Sequence, residues 1–224
     1  MYLQLAKLKN SFFVKFIMKL DIACGTDKKP GFKGVDLVKL PGVDYVMDVN
    51  KKLKFKDNSV DEIYSKNTLP HLDNAVFTIT EFHRILKIGG RLEIIVPHFT
   101  NTRMHNPFLK HEFSLHAMDH FDINTEIGRD RSYYKNMKDS RFIIIKREIK
   151  IRTNKFLPWT YLIQKWANSS LRNMHLYETY LSYRYPALAL RYVLIKVDSK
   201  MRSNPYVLSS SYKTIKYNTN LHSR

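Results

Sequence analysis

Residues 19–25 read Lys-Leu-Asp-Ile-Ala-Cys-Gly, and Lys-Gly-Val-Asp-Leu follows at 33–37. The first stretch is an apolar strand that ends in a glycine turn, and the second is a strand that ends in a carboxylate. In an open parallel sheet a ligand lies beyond the carboxyl ends of neighbouring strands. There Gly25 lets the backbone approach closely and Asp36 can accept hydrogen bonds from ribose hydroxyls. This one segment therefore predicts both an α/β fold and a nucleoside ligand.

Elements around it alternate as such a fold requires. Strands are expected over 16–22, 33–37, 44–49, 61–65 and 91–96, with Pro97 ending the fifth because proline cannot donate to a central ladder. Between the last two, Ala75, Ile79, Phe82 and Leu86 form one helical stripe over 74–86, after an Asp73 cap and before a Gly89-Gly90 stop. Beyond Pro97 a polar, histidine-rich stretch to about residue 134 predicts loops and short helices. A strand over 142–151, a helical aromatic region over 156–182 and a last strand over 188–197 complete a seven-stranded, mostly parallel sheet. The expected organisation is one domain over 1–197, with an acceptor-side region at 98–182 and a basic, flexible tail at 198–224.

Composition bounds the class. The chain has 224 residues, 44% of them hydrophobic, one cysteine (Cys24) and a formal net charge of +18. That is enough apolar material for a real core and excludes an internal disulfide framework. Lysines 7, 9, 15 and 19 interrupt the apolar N-terminus, and no apolar run approaches the length of a bilayer span, so a cytoplasmic protein is expected. The charge is uneven. Residues 1–98 hold 16 Lys+Arg against 11 Asp+Glu, while residues 99–224 hold 22 against 9. This field favours anionic partners, among them RNA, an acidic glycan or an anionic membrane surface.

The turn also says which nucleotide to exclude. NAD and FAD need a pyrophosphate cradle built on G-x-G-x-x-G, but Ala23-Cys24-Gly25-Thr26-Asp27-Lys28 lacks the second and third glycines. No G-K-[S/T] loop is present either, and 25–33 is too short for a full crossover helix. A nucleoside without phosphates remains.

These residues resemble the class I S-adenosylmethionine-dependent methyltransferases. Leu-Asp-Ile-Ala-Cys-Gly looks like their first motif, and Pro-Gly-Phe-Lys-Gly-Val-Asp-Leu like the second strand of a subgroup with a shortened first connection. Met-Asp-Val-Asn is similar to their adenine-contacting segment, Phe-Lys-Asp-Asn-Ser-Val-Asp-Glu-Ile-Tyr-Ser to their fourth strand and Leu-Lys-Ile-Gly-Gly-Arg-Leu-Glu-Ile-Ile-Val-Pro-His to their fifth. The likeness covers residues 18–125 well and reaches 197 weakly, and it is nearest to small bacterial and archaeal methyltransferases linked with glycan synthesis. It implies a Rossmann-like methyltransferase fold that binds S-adenosyl-L-methionine. The methionine end would lie near Asp21, Ala23 and Gly25, the ribose on Asp36, and the adenine at Asp48 and Val49, with Cys24 and Leu37 also in the cofactor site and Ser65 and Asn67 closing over it. Ala23 departs from a common glycine, and Pro70 stands where relatives often carry glutamate before the histidine matched by His71.

Methyl transfer from a sulfonium needs alignment first, and a general base only for a protonated acceptor. His98, at the end of the fifth strand, and His71 are the candidate catalytic residues. His105, His111 and His116 are the candidate substrate-binding residues, because five of the nine histidines fall between 98 and 120. A metal is not expected. His111-Glu112 and His116 superficially match H-E-x-x-H, but the second histidine sits at i+5, about 140° around a helix from the first.

The expected activity is methyl transfer to a hydroxyl or similar nucleophile of a sugar, glycan or small molecule, with an RNA acceptor as the alternative and an inactive binding domain as a third reading. Residues 155–166, Lys-Phe-Leu-Pro-Trp-Thr-Tyr-Leu-Ile-Gln-Lys-Trp, are expected to pack on the sheet or a partner, or to contact a membrane peripherally.

Overall fold

A computed structural model describes residues 17–102, 106–129 and 140–198. Its strands are β1 Lys19–Ile22, β2 Lys33–Asp36, β3 Val43–Val46, β4 Val60–Lys66, β5 Leu86–Pro97, β6 Phe142–Ile151 and β7 Ala187–Lys196. They form one sheet in the order β3-β2-β1-β4-β5-β7-β6, parallel except for β7, which runs antiparallel to both neighbours. The seven strands expected from the sequence are all present. Phe16 and residues 199–224 of the expected tail lie outside the described residues.

Helices α1 (Ala75–Ile85), α2 (Glu126–Arg129), α3 (Trp159–Ala167) and α4 (Leu171–Leu176) follow β4, β5 and β6, and a short π-helical turn, Tyr177–Leu181, extends α4. The single helical region expected over 156–182 is thus three pieces, α4 being restarted by Ser170, whose side chain accepts from Asn173 N–H. Helix α1 is capped by Asn74 rather than by Asp73, since it is the Asn74 side chain that accepts from Phe77 N–H. Gly89-Gly90 does not stop the helix. The chain turns extended at Leu86, and the β4–β5 register jumps from Val60↔Leu86 to Glu62↔Arg91, so residues 87–90 bulge inside the strand with Gly89 at φ +79°. Lys196 of β7 replaces a glycine cap. Its buried Nζ donates to the carbonyls of His83 (2.6 Å) and Leu86 (2.8 Å) and to Asn58 Oδ1 (2.8 Å), placing a cation at the negative end of α1.

Because strand side chains alternate, the register divides the sheet into two unlike faces. Leu20, Ile22, Ile63, Leu92, Ile94, Tyr192 and Leu194 face the core, where they join Ile79 and Phe82 of α1 and Met174 and Tyr177 from the α4 region. Full burial of residues such as Phe82 and Ile79 contributes about 2 kcal/mol each. The neighbouring positions, Asp21, Glu62, Tyr64, Arg91, Glu93 and Arg191, belong to the other face. Ion pairs cross the strands there: Lys19 to Glu62 (2.9 Å), Arg91 to Glu62 and Glu93 (the latter 2.9 Å), Arg191 to Glu93 (2.7 Å) and to Glu148 (3.1 Å).

The β1–β2 connection, residues 23–32, contains no helix, and the same is true of the β2–β3 link. Parallel strands ordinarily require a longer crossover. Side chains hold this short one in place. Lys29 N–H donates to Asp21 Oδ2 (2.7 Å), Lys29 Nζ reaches Glu93 Oε2 (3.3 Å) and lies 4.0 Å from the Tyr64 ring centroid, and Phe32 meets Tyr64 edge-on. Gly34 is required where the loop returns, because a Cβ there would lie 2.6 Å from Cys24 Sγ and 2.8 Å from Gly42 O.

Glu93 is the hub of this arrangement. Burial raises its pKa, but the hydrogen bond from Arg191 and the charges of Lys29, Arg191 and Arg91 outweigh burial and hold the carboxyl below the ordinary glutamate range. The folded state therefore binds this proton less tightly than the unfolded chain does, so the stabilisation is present above the ordinary range and is lost as pH falls through the folded value. Glu93→Gln is expected to cost about 2 kcal/mol at neutral pH and to flatten the acid limb of stability. Thermal denaturation of both proteins from neutral to acid pH reads both effects.

Candidate functional site

The carboxyl edge of β1, β2, β4 and β5 gathers the residues singled out in the sequence. At the end of β1, Ala23 and Gly25 both adopt left-handed backbone, φ +52° and +54°. For Ala23 that conformation is strained, which is the physical cost of having alanine where a glycine is common. Gly25 N–H donates to Asp36 Oδ2 (2.8 Å) and Val38 N–H to Asp36 Oδ1 (3.3 Å). A carboxylate has about four acceptor positions, so two vicinal hydroxyls can still be received at Asp36. A Cβ built on Gly25 meets nothing within 4 Å, which leaves open space in front of the turn. Leu37 and Val38, directly after Asp36, are 64% and 56% exposed, an apolar platform with the chemistry a purine face needs.

Asp21 is 3% exposed, behind this turn. Burial raises its pKa, and the Lys29 N–H bond opposes that only in part. Cys24 is buried and its thiol is likewise pushed up, first by burial and then by Asp21 and Asp36. Asp48 closes a turn on Asn50, accepting from its N–H (2.9 Å) and Nδ2 (3.3 Å), and this backbone bond lowers its pKa; Val49 beside it is buried. That geometry is the capping role an aspartate takes in any such turn, and it leaves Asp48 no distinctive orientation toward a ligand. Ser65 lies in β4 with a buried hydroxyl that has no partner among the described residues. Asn67 is left-handed at φ +56°, its N–H donating to Ile95 O (2.8 Å), and Thr68 Oγ1 donates to Ile22 O (3.1 Å). These two bonds lock the ends of β1, β4 and β5 together. Thr68 was not recognised from sequence, where an isolated threonine carries no signal.

Beside this edge a cavity of about 550 Å³ opens past β5, lined by Pro97, His98, Phe99, Asn101, Leu109, Lys110, His111 and Glu112 among others. Its wall is segment 107–112, which is clamped to residues 70–73 in the connection between β4 and α1: Lys110 N–H donates to Pro70 O (2.8 Å), Lys110 Nζ pairs with Asp73, and His111 Nε2 donates to Leu72 O (3.0 Å). A carbonyl partner requires the proton on Nε2, so Nδ1 is the acceptor in the neutral form of the ring.

His98 is placed differently from the expected base. Its side chain is wholly buried, Nδ1 accepts from Thr100 N–H (3.1 Å) and meets Thr100 Oγ1 (2.7 Å), and Nε2 donates to Glu178 Oε1 (3.1 Å), which also receives Leu115 N–H (2.6 Å). Both ring nitrogens are occupied, and the residue ties the end of β5 to the π-helical turn. His71 is exposed at the end of a 3₁₀ turn, Leu69–His71, and does not line the cavity. His116 stands apart, bonded to Asp119 Oδ2 (2.8 Å) and facing His175 Nδ1 (3.4 Å), with Arg147 on the other Asp119 oxygen (2.6 Å). His105 lies outside the described residues. Among the described residues no group of three or more His, Cys, Asp or Glu is arranged to hold a metal.

Residues 13–94, which span β1 to the middle of β5, match the family model of the methyltransferase domain. The chain is thus similar to a methyltransferase domain over the half of the sheet that carries the Gly25 turn and Asp36. Similar solved structures share little sequence with it. The YcgJ protein from Bacillus subtilis is 15% identical, with 81% of this chain and 92% of that one covered and a TM-score of 0.46. An S-adenosylmethionine-dependent methyltransferase from Mesorhizobium loti is 13% identical, with 80% and 90% covered and a TM-score of 0.47. Geranyl diphosphate C-methyltransferase from Streptomyces coelicolor is 16% identical, with 81% and 74% covered and a TM-score of 0.44. No curated protein matches the chain in sequence.

Asp21 is the position of this turn at which ligand binding can be told apart from folding. Asp21→Asn keeps an acceptor for Lys29 N–H and removes a buried charge, so thermal stability at neutral pH should hold or rise. If Asp21 receives the ammonium of the cofactor's methionine end, affinity for S-adenosylmethionine should fall about tenfold to a hundredfold, as calorimetry would read. Unchanged affinity would restrict Asp21 to ordering the loop.

Proposed function

We propose that the methyltransferase acts on a hydroxyl of a sugar, glycan or other small polar acceptor seated in the cavity past β5. The observation that carries this reading is the make-up of that cavity. At about 550 Å³ it suits a compact acceptor, and Asn101, Asn106, Lys110, His111 and Glu112 line it with groups that recognise hydroxyls. Adjacent strands lie about 4.8 Å apart, so the cavity is about 10 Å across the sheet from the Gly25 turn, within the length of one nucleoside cofactor.

Under this reading Asp36 holds the ribose, Leu37 and Val38 support the adenine with Asp48 and Val49 at its far edge, and the 21–25 turn receives the amino-acid end. When bound, S-adenosylmethionine supplies a methyl group already activated on sulfur. His111 Nδ1 would accept the proton that the acceptor hydroxyl gives up as its oxygen takes that methyl group. The Leu72 carbonyl keeps His111 in the tautomer that can do this. His98 positions the floor of the cavity through Thr100 and Glu178.

Transfer of labelled methyl to fractionated cell extract identifies the acceptor. With that acceptor, His111→Gln should lower kcat by about a hundredfold or more while leaving S-adenosylmethionine affinity unchanged. A loss of less than about threefold would remove the base role. The excess of basic residues in 99–224 supports an RNA acceptor as the second reading. In that case labelled methyl should be recovered in RNA, and RNA affinity should fall steeply with salt.

A further inference from the structure

Helix α3 buries Thr160 and Ala167 and leans Ile163 on the core, but most of its large side chains point away. Trp159, Tyr161, Leu162 and Trp166 are 46%, 53%, 69% and 39% exposed, and Phe156 and Leu157 just before the helix are 77% and 39% exposed. The expectation that this segment packs on the sheet is met by three residues of the helix and not by these six. Such a cluster on a water-facing helix loses free energy unless something covers it.

The charge around the cluster indicates what does. From residue 149 to 177 the chain has no acidic residue, while Lys150, Arg152, Lys155, Lys165 and Arg172 are all exposed and none forms an ion pair among the described residues. Lys155 and Lys165 stand within the apolar cluster, Lys155 Nζ lying 5.0 Å from the Phe156 ring centroid. A second copy meeting this face symmetrically would bring these cations against their own kind. A layer of anionic headgroups over acyl chains satisfies both the aromatics and the lysines. No helix of the described residues is long and apolar enough to cross a membrane, so the contact is one that lies on the surface.

We propose that the 155–166 face docks on the headgroup region of an anionic phospholipid bilayer. Trp159 and Trp166 enter the interface, Phe156 and Leu162 reach the acyl boundary, and the surrounding Lys and Arg side chains meet lipid phosphates. This surface is distinct from the cavity past β5, and its occupancy does not depend on which acceptor is methylated.

The chain's two tryptophans are both in this face, so the full-length protein carries its own probe. Its emission is followed on titration with vesicles of phosphatidylcholine, or of phosphatidylcholine mixed with phosphatidylglycerol, with no S-adenosylmethionine present. A blue shift with the mixed vesicles, quenched by brominated acyl chains, is the expected result. The Lys155→Glu/Lys165→Glu variant should raise the Kd for mixed vesicles at least about tenfold, and Phe156→Ser/Leu162→Ser should abolish the quenching. All four sites are exposed, and an unchanged melting temperature verifies folding of each variant. Binding to mixed vesicles without a blue shift, or binding unaltered in both variants, would assign the contact to another basic surface and overturn the proposal. So would light scattering that showed a dimer dissolved by Phe156→Ser/Leu162→Ser.

Discussion

The fold depends on how two buried carboxylates restrain a connection that is too short to contain a helix. Residues 23–32 must carry the chain from the end of β1 to the start of β2, and without a helix they have no hydrogen-bonded scaffold of their own. Asp21 accepts Lys29 N–H, Glu93 and the Tyr64 ring hold the Lys29 ammonium, and Asp36 accepts Gly25 N–H. Each anchor comes from a different strand of the same sheet, β1, β4 and β5 on one side and β2 on the other. The shape of the Gly25 turn is therefore set by strand register rather than by local propensity. It forms only when the sheet has formed.

That dependence gives the site carboxylates two duties at once. Under the proposed function Asp21 and Asp36 receive the cofactor, and both already accept backbone N–H groups of the loop they shape. One oxygen of each is held while further lone pairs remain. Ligand and loop thus share the same anions, so filling the site also reinforces the loop. The same economy holds on the other side of the edge. His111 is fixed by Leu72 O, and Lys110 by Pro70 O and Asp73, so the cavity wall is attached to the connection after β4, which Thr68 ties to the end of β1.

What the sequence made legible was whatever depends on local pattern. Apolar runs ending in glycine, proline or aspartate marked the strands of the sheet, and the glycine-poor turn with its acid eleven residues on pointed to a phosphate-free nucleoside. Features that depend on distant partners were not legible. Gly89-Gly90 reads as a helix stop, but Val60 pairs with Leu86 and Lys196, more than a hundred residues away, caps α1, so the glycines became a bulge. His98 reads as a base because it ends a strand, and Glu178 and Thr100 turned it into a buried strut. His116 reads as part of a histidine cluster, yet Asp119 and His175 draw it elsewhere. Asp48 fits a motif, although a turn acid and a ligand acid are identical in sequence.

The two faces of the sheet show how this edge is held with so few helices among the described residues. A parallel sheet usually covers both faces with helices, and its strands then read as continuous apolar runs. Here β1, β4 and β5 alternate, with an apolar core on one face and acids and bases interleaved on the other. Ion pairs on such a face contribute less than buried methyl groups do, but they are directional. Each guanidinium or ammonium that bridges Glu62, Glu93 and Glu148 fixes the lateral position of a neighbouring strand. Slippage of β5 by one residue would bring Glu93 onto the core face and remove the anchor of Lys29. The charged face therefore specifies register, and register in turn fixes the Gly25 turn.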